Sequence, residues 1–354
     1  MLTSNRKNVQ AAKGVKINLK PLKDQVIVIT GASSGIGLVT ARMARAEGAR
    51  LVVAARNESA LRQLSDEINQ YGLGAVYVEA DVGKEEDVQR IADSALRTFG
   101  GFDTWINNAG VSVIGDALNV PVGDLKKMFD TNFWGVVYGS RAAARHFISS
   151  EKHGAIINVG SFLGERHNAL QAGYTATKQA VHAWTDSLRA EMESDHQPVS
   201  VSLIQPAKTN TPFAQHARTY AQGDLKEEQL MYAPEVVAEA ILFCAQNPRR
   251  EIQVGLQSRL MNVMNSIAPG LVDLVMDRPS PHEPERGSER SPGALENPGG
   301  KLKERGTTKG VTRSTSYYVK ASKYPFLSTL LVAGLGAGLY LFSKRKQPPE
   351  SPEK

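Results

Sequence analysis

Short runs of β-branched and aliphatic residues alternate along this chain with longer segments whose apolar positions recur every three or four residues. Val26–Ile29 is an unbroken apolar run. A run so short, with no polar position to face water, predicts a parallel strand covered on both faces. Further strands are predicted at Leu51–Ala55, Ala75–Ala80, Thr104–Asn107, Ala155–Val159, Val199–Ile204 and Ile252–Val254. Helical spacing fills the intervals: Leu38–Arg45, Asn57–Asn69, Val88–Phe99, Leu125–Ser149, Tyr174–Ser194 and Pro234–Gln246. In Asn57–Asn69, for example, Leu61, Leu64 and Ile68 share one face. Strands alternating with helices predict βαβ units, so the expected fold is α/β, a doubly wound parallel sheet with helices on both faces. Ligands of such sheets bind at the carboxyl ends of the strands.

The first strand runs into Thr30 and then Gly31, Gly35 and Gly37, spaced Gly-x-x-x-Gly-x-Gly, before the first helix. Strand, glycine turn and helix together aim main-chain N–H groups at a diphosphate on a helix N-terminus. A Cβ there would block both the turn and the approach of the phosphate. The glycine turn, Asp81, Asn107–Gly110 and Pro206 all fall at strand carboxyl ends, where the expected sheet places its ligand.

Charge changes the picture only at the C-terminus. The 354-residue chain carries a formal net charge of +6. Residues 278–354 hold 14 Lys and Arg against 7 Asp and Glu, whereas residues 1–277 hold 28 against 29. The basicity therefore belongs to the tail and argues against a nucleic-acid-binding core. Cys244 is the only cysteine, which excludes an intramolecular disulfide. The histidines are scattered without ligand spacing, and no metal site is expected.

Tyr174 and Lys178 stand at i and i+4, on one face of the predicted helix. A tyrosine hydroxyl is a poor proton carrier at neutral pH, and a nearby ammonium is expected to stabilise its phenolate. Such a pair could move a proton to or from an alcohol or carbonyl oxygen. Ser161, at the end of the fifth predicted strand, could hold that oxygen. Asn132, inside the predicted helix Leu125–Ser149, is either surface decoration or an anchor for a water near the site.

Thr30–Gly37, Asp81, Asn107–Gly110, Asn132, Ser161, Tyr174, Lys178 and Pro206–Thr211, in this order, make about Lys23–Val254 resemble the classical short-chain dehydrogenase/reductase family, within an expected catalytic domain of residues 23–277. The resemblance implies a Rossmann-type catalytic domain and a small alcohol or carbonyl substrate. It assigns the acid/base role to Tyr174 and gives Lys178 a double role, lowering the tyrosine pKa and binding the nicotinamide ribose. Ser161 would orient the substrate oxygen, and Asn132 would hold a relay water. Gly31, Ser33, Ser34, Gly35, Ile36 and Gly37 would bind the cofactor, as would Asp81, Val82, Asn108, Ala109, Gly110, Pro206 and Thr209. One departure is Pro206-Ala207 where the family has Pro-Gly. The resemblance also implies a homo-oligomer built on the long helices.

At the end of the second strand, Ala54-Ala55-Arg56-Asn57 lacks the acid that would bind an adenosine ribose. Arg56 offers a charged fork to a 2′-phosphate and Ser33 a hydroxyl, so NADP(H) is expected in preference to NAD(H). The alternative is a solvated surface arginine. Thr209–Tyr232 is expected to be a mobile substrate lid. Val111, Val113, Phe162 and Leu163 either add an apolar wall for a lipophilic substrate or are ordinary packing.

The remainder of the chain reads as appendages. Residues 1–22 look like a loose arm. Ile252–Met276 is apolar around Pro269-Gly270 and reads as a dimer surface, a membrane-contacting helix or a helix packed on its own domain. Residues 278–323, rich in Pro, Gly, Ser and charge, are expected to be a disordered linker. Tyr324–Ser343 has no charged residue, and its 20 residues as helix would reach about 30 Å, a hydrocarbon thickness. It carries flanking aromatics and Gly334-x-x-x-Gly338. A single-pass C-terminal membrane anchor, with a basic tail at 344–354 and the catalytic domain cytoplasmic, is expected; a reentrant or surface-lying segment is the alternative. Two other functional readings stay open: a non-catalytic cofactor sensor on the same fold, and an epimerase.

Overall fold

The computed structural model describes residues 15–70, 72–165, 168–220, 230–255, 291–299, 302–307, 310–316, 319–320 and 323. In chain order the elements are β1 (Val26–Thr30), α1 (Gly35–Ala46), β2 (Arg50–Ala55), α2 (Glu58–Asn69), β3 (Ala75–Glu79), α3 (Glu85–Phe99), β4 (Thr104–Asn107) and β5 (Val113–Ile114). They continue as α4 (Val122–Phe129), α5 (Gly135–Ser149), β6 (Gly154–Val159), α6 (Ala172–Ser194), β7 (Val199–Pro206) and β8 (Arg218–Thr219). The last are β9 (Met231–Tyr232), α7 (Pro234–Gln246), β10 (Glu251–Val254) and β11 (Thr312–Arg313). Seven strands form the main sheet in the order β10-β7-β6-β4-β1-β2-β3, and every pairing in it is parallel.

Alternation along each strand divides the core in two. On β1, Ile27 and Ile29 face a cluster that includes Leu38 of α1, Leu61 of α2 and Val237 of α7. Val26 and Val28 face the opposite cluster, with Ile91 of α3, Phe147 of α5 and Leu188 of α6. The sheet is thus covered on both sides, which is why its central strands carry no solvent-facing polar set. The exceptions are buried amides at the carboxyl end. Asn107 Nδ2 donates to Asn158 Oδ1 at 2.8 Å, Trp105 Nε1 donates to Asn107 Oδ1 at 2.8 Å, and Asn158 Nδ2 donates to Thr185 Oγ1 at 2.9 Å. This network ties β4 and β6 to α6 beneath the ligand end of the sheet.

The predicted helix Leu125–Ser149 is not continuous. A π turn over Asp130–Trp134 separates α4 from α5. Apolar spacing survives such a one-residue insertion, so the sequence pattern does not reveal it. π turns of this kind recur at functional sites, and this one contains Asn132.

Residues 278–323 also depart from expectation. Their described parts pack on the domain: Val311 O accepts from Met231 N at 2.9 Å, β11 pairs with β9, and Leu295 and Val319 are buried. The composition lacks a periodic apolar face, yet the segment docks through main-chain groups and isolated apolar anchors, which leave no periodic trace. Among the described residues no helix is long and apolar enough to cross a membrane. The expected span Tyr324–Ser343 lies outside the described residues, as do 256–276 and 221–229 of the expected lid.

Candidate active site

At the carboxyl end of β1 the chain turns through Gly31, with φ +68°, into α1. A Cβ on Gly37 would stand 2.3 Å from Gly31 O, so only glycine lets helix and turn approach this closely. Thr30 Oγ1 accepts from Asn108 N at 3.0 Å and Ala109 N at 3.2 Å, and Asn108 Nδ2 donates to Thr30 O and Gly31 O. The glycine turn and the loop after β4 therefore form one braced wall.

This wall borders a cleft of about 1020 Å³. Sixteen predicted residues line it: Gly31, Ser33, Ser34, Gly35, Ile36, Arg56, Asp81, Val82, Asn108, Ala109, Gly110, Ser161, Tyr174, Lys178, Pro206 and Thr209. Gly37 and Asn132 do not line it, and each acts from behind. Asn132 is fully buried, its Oδ1 accepts from Val111 N at 2.8 Å, and its Nδ2 donates to Val111 O at 2.9 Å and Thr177 Oγ1 at 3.1 Å. That side chain is spent on bracing the loop after β4 against α6.

Tyr174 and Lys178 rise from the first two turns of α6, and Ser161 follows β6. Lys178 Nζ lies 5.8 Å from the Tyr174 ring centroid and donates to Val159 O at 2.9 Å. Burial pushes the Tyr174 phenol up to about 12, partly offset by its hydrogen bond with Ser161, and burial pulls the Lys178 ammonium down to about 8. The sequence reading expects Lys178 to depress the tyrosine pKa. In this structure desolvation dominates the phenol, opposed by the Ser161 hydrogen bond. The ammonium is itself desolvated and is directed at the Val159 carbonyl.

Two residues of the site escape the sequence reading. His182, one helical turn beyond Lys178, places Nε2 3.4 Å from Ser161 N, and its ring fills the space where Cβ atoms on Gly160 and Gly164 would stand. Burial, then the Lys178 charge, pulls it down to about 4, so it is a neutral brace for the serine loop. Its spacing of four from Lys178 is the signal that marks it. Ser112 is buried in the cleft wall, and its hydroxyl has no hydrogen-bond partner among the described residues. Apolar side chains complete that end: Val111, Val113, Leu163 and Tyr174 form one cluster with Leu295, and Phe162 and Phe213 pack on it. Both carboxylate oxygens of Asp124 accept from Arg218 Nη1 at 2.9 Å, and Oδ2 also accepts from the Tyr220 hydroxyl, pinning the middle of the expected lid to α4.

The short chain dehydrogenase family profile matches residues 25–222. The chain belongs to this family. It is 51% identical over 326 residues to the uncharacterised oxidoreductase YxnA of Bacillus subtilis, covering 91% of this chain and 92% of that one. Coverage that wide extends well past the last sheet strand into the tail. It is 34% identical over 234 residues to 3beta-hydroxysteroid dehydrogenase 1 of Eggerthella lenta, covering 63% of this chain and 87% of that one. Among solved structures it resembles a short chain dehydrogenase/reductase of Burkholderia phymatum in complex with NAD. That match has a TM-score of 0.65 and 25% identity, covering 77% of this chain and all of that one. It also resembles an alcohol dehydrogenase of Thermococcus sibiricus complexed with 5-hydroxy-NADP, with a TM-score of 0.57 and 26% identity over 65% of this chain and 95% of that one. As a short-chain dehydrogenase the protein is an oxidoreductase acting on CH–OH donors with NAD or NADP.

The residues fit a dinucleotide. Gly31, Gly35 and Gly37 add no side chain of their own at the α1 N-terminus, and the Gly35 N–H that would meet a phosphate is held by Lys303 O at 2.9 Å. The cleft volume sits at the top of the ~300–1,000 Å³ range of small-molecule pockets, room for a cofactor and a substrate together.

Proposed function

We propose that the protein is an NADP(H)-dependent oxidoreductase that interconverts a lipophilic alcohol and its ketone or aldehyde, with Tyr174 as the general acid/base. The observation that carries this reading is convergence: Ser161, Tyr174 and Lys178 share one cleft with the glycine turn and Arg56. The dinucleotide, when bound, supplies or accepts the hydride. Ser33, Ser34 and Ile36 at the turn would hold its phosphates, Arg56 the 2′-phosphate, Asp81 and Val82 the adenine side, and Thr209 the nicotinamide side.

In the reductive direction a protonated Tyr174 donates its proton to the carbonyl oxygen, which Ser161 holds by a hydrogen bond. A phenol kept protonated by burial is ready for that step. In the oxidative direction the phenolate must form, and the ammonium of Lys178 on the same helical face is the charge that favours it. The apolar cluster around Val111, Val113 and Leu163 suits a lipophilic substrate, and the unpartnered Ser112 hydroxyl offers it one polar anchor. The Eggerthella relative bears the name of a hydroxysteroid dehydrogenase, which agrees with an apolar substrate.

Tyr174→Phe tests the assignment. It should leave NADPH binding within about twofold while removing at least about 10²-fold of turnover on a panel of apolar ketones; unchanged turnover refutes the role. We propose in addition that Tyr324–Ser343 anchors the enzyme to a membrane with the catalytic domain cytoplasmic and that α5 and α6 mediate homo-oligomers. The anchor rests on the uncharged sequence and its basic flanks, and release of the full chain from membranes by alkaline carbonate would refute it.

A further inference from the structure

Arg56, the residue on which the NADP reading turns, is already engaged. Its Nη1 donates to Leu295 O at 2.9 Å and to Glu296 O at 3.5 Å, and its Nη2 donates to Ala294 O. Three consecutive carbonyls of the C-terminal tail thus accept from the two amino ends of the guanidinium fork, the ends a 2′-phosphate would use. The neighbouring Asn57 Nδ2 donates to Gly299 O at 2.7 Å. At the glycine turn, Gly35 N donates to Lys303 O at 2.9 Å. Each of these carbonyl oxygens meets a donor at the adenosine end of the cleft.

The seat is built over a distance, not by one chance contact. Upstream, Ser291 O accepts from Thr219 N at 3.1 Å, Pro292 O from Arg218 Nε at 3.0 Å, and Ala294 N donates to His216 O at 2.7 Å. Gly293 lies so close that a Cβ would stand 2.4 Å from Arg218 N, and its φ is +55°. Leu295 is buried in the apolar cluster beside Tyr174, and Glu296 pairs with Lys127. Downstream, Glu304 pairs with Arg42 at 2.6 Å. The tail therefore crosses the cleft from the substrate side to the ribose side.

Resting on the assignment of Arg56 made above, we propose that residues 294–296 are the cofactor-specificity determinant of this cleft. By holding Arg56 through their main-chain carbonyls they make a 2′-phosphate compete for its own recognition group, and so reduce the preference for NADPH over NADH that Arg56 alone would confer. The seated tail takes space from either dinucleotide, but NADH presents a 2′-hydroxyl and has no need of the guanidinium, so the contact on Arg56 adds a penalty that falls on NADPH alone. The contact of Lys303 O at the turn opposes both dinucleotides. Because the tail is part of the same chain, it competes at a fixed effective concentration that no dilution removes.

The test is a fluorescence titration of NADPH and of NADH into the full chain in detergent micelles, for wild type, Gly293→Val and Leu295→Asp. The valine cannot be seated against the Ala217–Arg218 main chain, and the aspartate removes the apolar anchor. Neither lies in the sheet core, so thermal melting reports that the fold is kept, and hydrogen exchange at the Ala294–Glu296 amides reports that the tail has left. If the tail is seated in about nine molecules of ten, both variants should tighten NADPH binding about tenfold and NADH binding by much less. An unchanged NADPH-to-NADH ratio with a released tail overturns the proposal, and weaker NADPH binding in the variants would make the tail a lid that helps the cofactor. Absence of binding by either dinucleotide to any of the three proteins would sink the oxidoreductase assignment itself, a failure distinct from an unchanged ratio.

Discussion

Replacing Lys178 by Met should make the cofactor-free protein more stable at pH 7 while abolishing turnover. The side chain is buried, and its ammonium is held at about 8 against an ordinary 10.5. A folded-state pKa below the unfolded one means that the charged form is disfavoured by folding. Below pH 8 both states are charged and the native state bears the whole penalty. Between 8 and 10.5 the unfolded chain binds the proton that the native state has lost, and stability rises with pH. At about 1.4 kcal/mol per unit, the shift corresponds to about 3 kcal/mol at pH 7. Methionine keeps the stem's packing but leaves Val159 O without its 2.9 Å donor, a loss of about 1–2 kcal/mol. The variant should therefore be more stable by about 1–2 kcal/mol at pH 7. By pH 9.5 wild type has recovered about 2 kcal/mol, and the advantage should vanish.

Urea unfolding followed by tryptophan fluorescence, at half-unit steps from pH 7 to 9.5, measures this difference. Other groups titrate in the same window: Lys208 is also pulled down to about 8, and burial pushes the Cys244 thiol up to about 12. They act equally on both proteins and cancel. His182, down at about 4, stays neutral throughout. A difference between variant and wild type that does not change with pH would refute the claim that the lysine bears a desolvation penalty. A variant less stable at pH 7 would show that the bond to Val159 outweighs it.

Three further outcomes are expected. Gly37→Ala places a Cβ 2.3 Å from Gly31 O and 2.6 Å from Asn108 Nδ2; it should destabilise by about 1–3 kcal/mol and weaken both dinucleotides, as read by thermal melting and titration. Asn158→Ala removes the 2.8 Å acceptor of Asn107 Nδ2, which keeps only its longer bonds to Ser140 Oγ and Val136 O, and leaves Thr185 Oγ1 without the Asn158 donor in a fully buried network; a loss of about 1–3 kcal/mol in urea unfolding checks it. Cys244, fully buried with its thiol held protonated, should react with a disulfide reagent only as fast as the protein opens; labelling of the native state in the dead time would contradict its burial.

The sheet was legible because its physics is local. Val26–Ile29 or Ala155–Val159 must be covered on both faces, and the helices between them carry the stripes that cover them. The site was legible for a related reason: main-chain geometry at the glycine turn and the i, i+4 pair on α6 leave a signature in residue type and spacing. The π turn at Asp130–Trp134 left none, since an inserted residue shifts the apolar register without removing any apolar position. Spacing predicts a lowered tyrosine pKa whereas burial raises it, because spacing gives the distance between two groups but not the water around them. Spacing places an ammonium near a phenol; only the structure shows that both side chains are buried.

The tail is the deepest omission, and its chemistry explains why. A segment recognised through its carbonyls can be written in almost any residues, so Pro-, Gly- and Ser-rich composition reads as incapable of order. What the composition excludes is a core of its own. It does not exclude order borrowed from an existing cleft, where Arg56, Asn57 and the Gly35 amide are donors arranged for a ligand made of oxygen atoms. A peptide main chain presents such oxygens at every residue. A cleft shaped to bind phosphates and ribose is therefore also a receptor for its own chain, provided glycine lets the backbone approach, as at Gly293, and one apolar side chain, Leu295, finds a pocket. The arginine that sequence reasoning reads as a free cation for a 2′-phosphate is the same group that the tail needs, and the cofactor preference of this enzyme should follow from which of the two holds it.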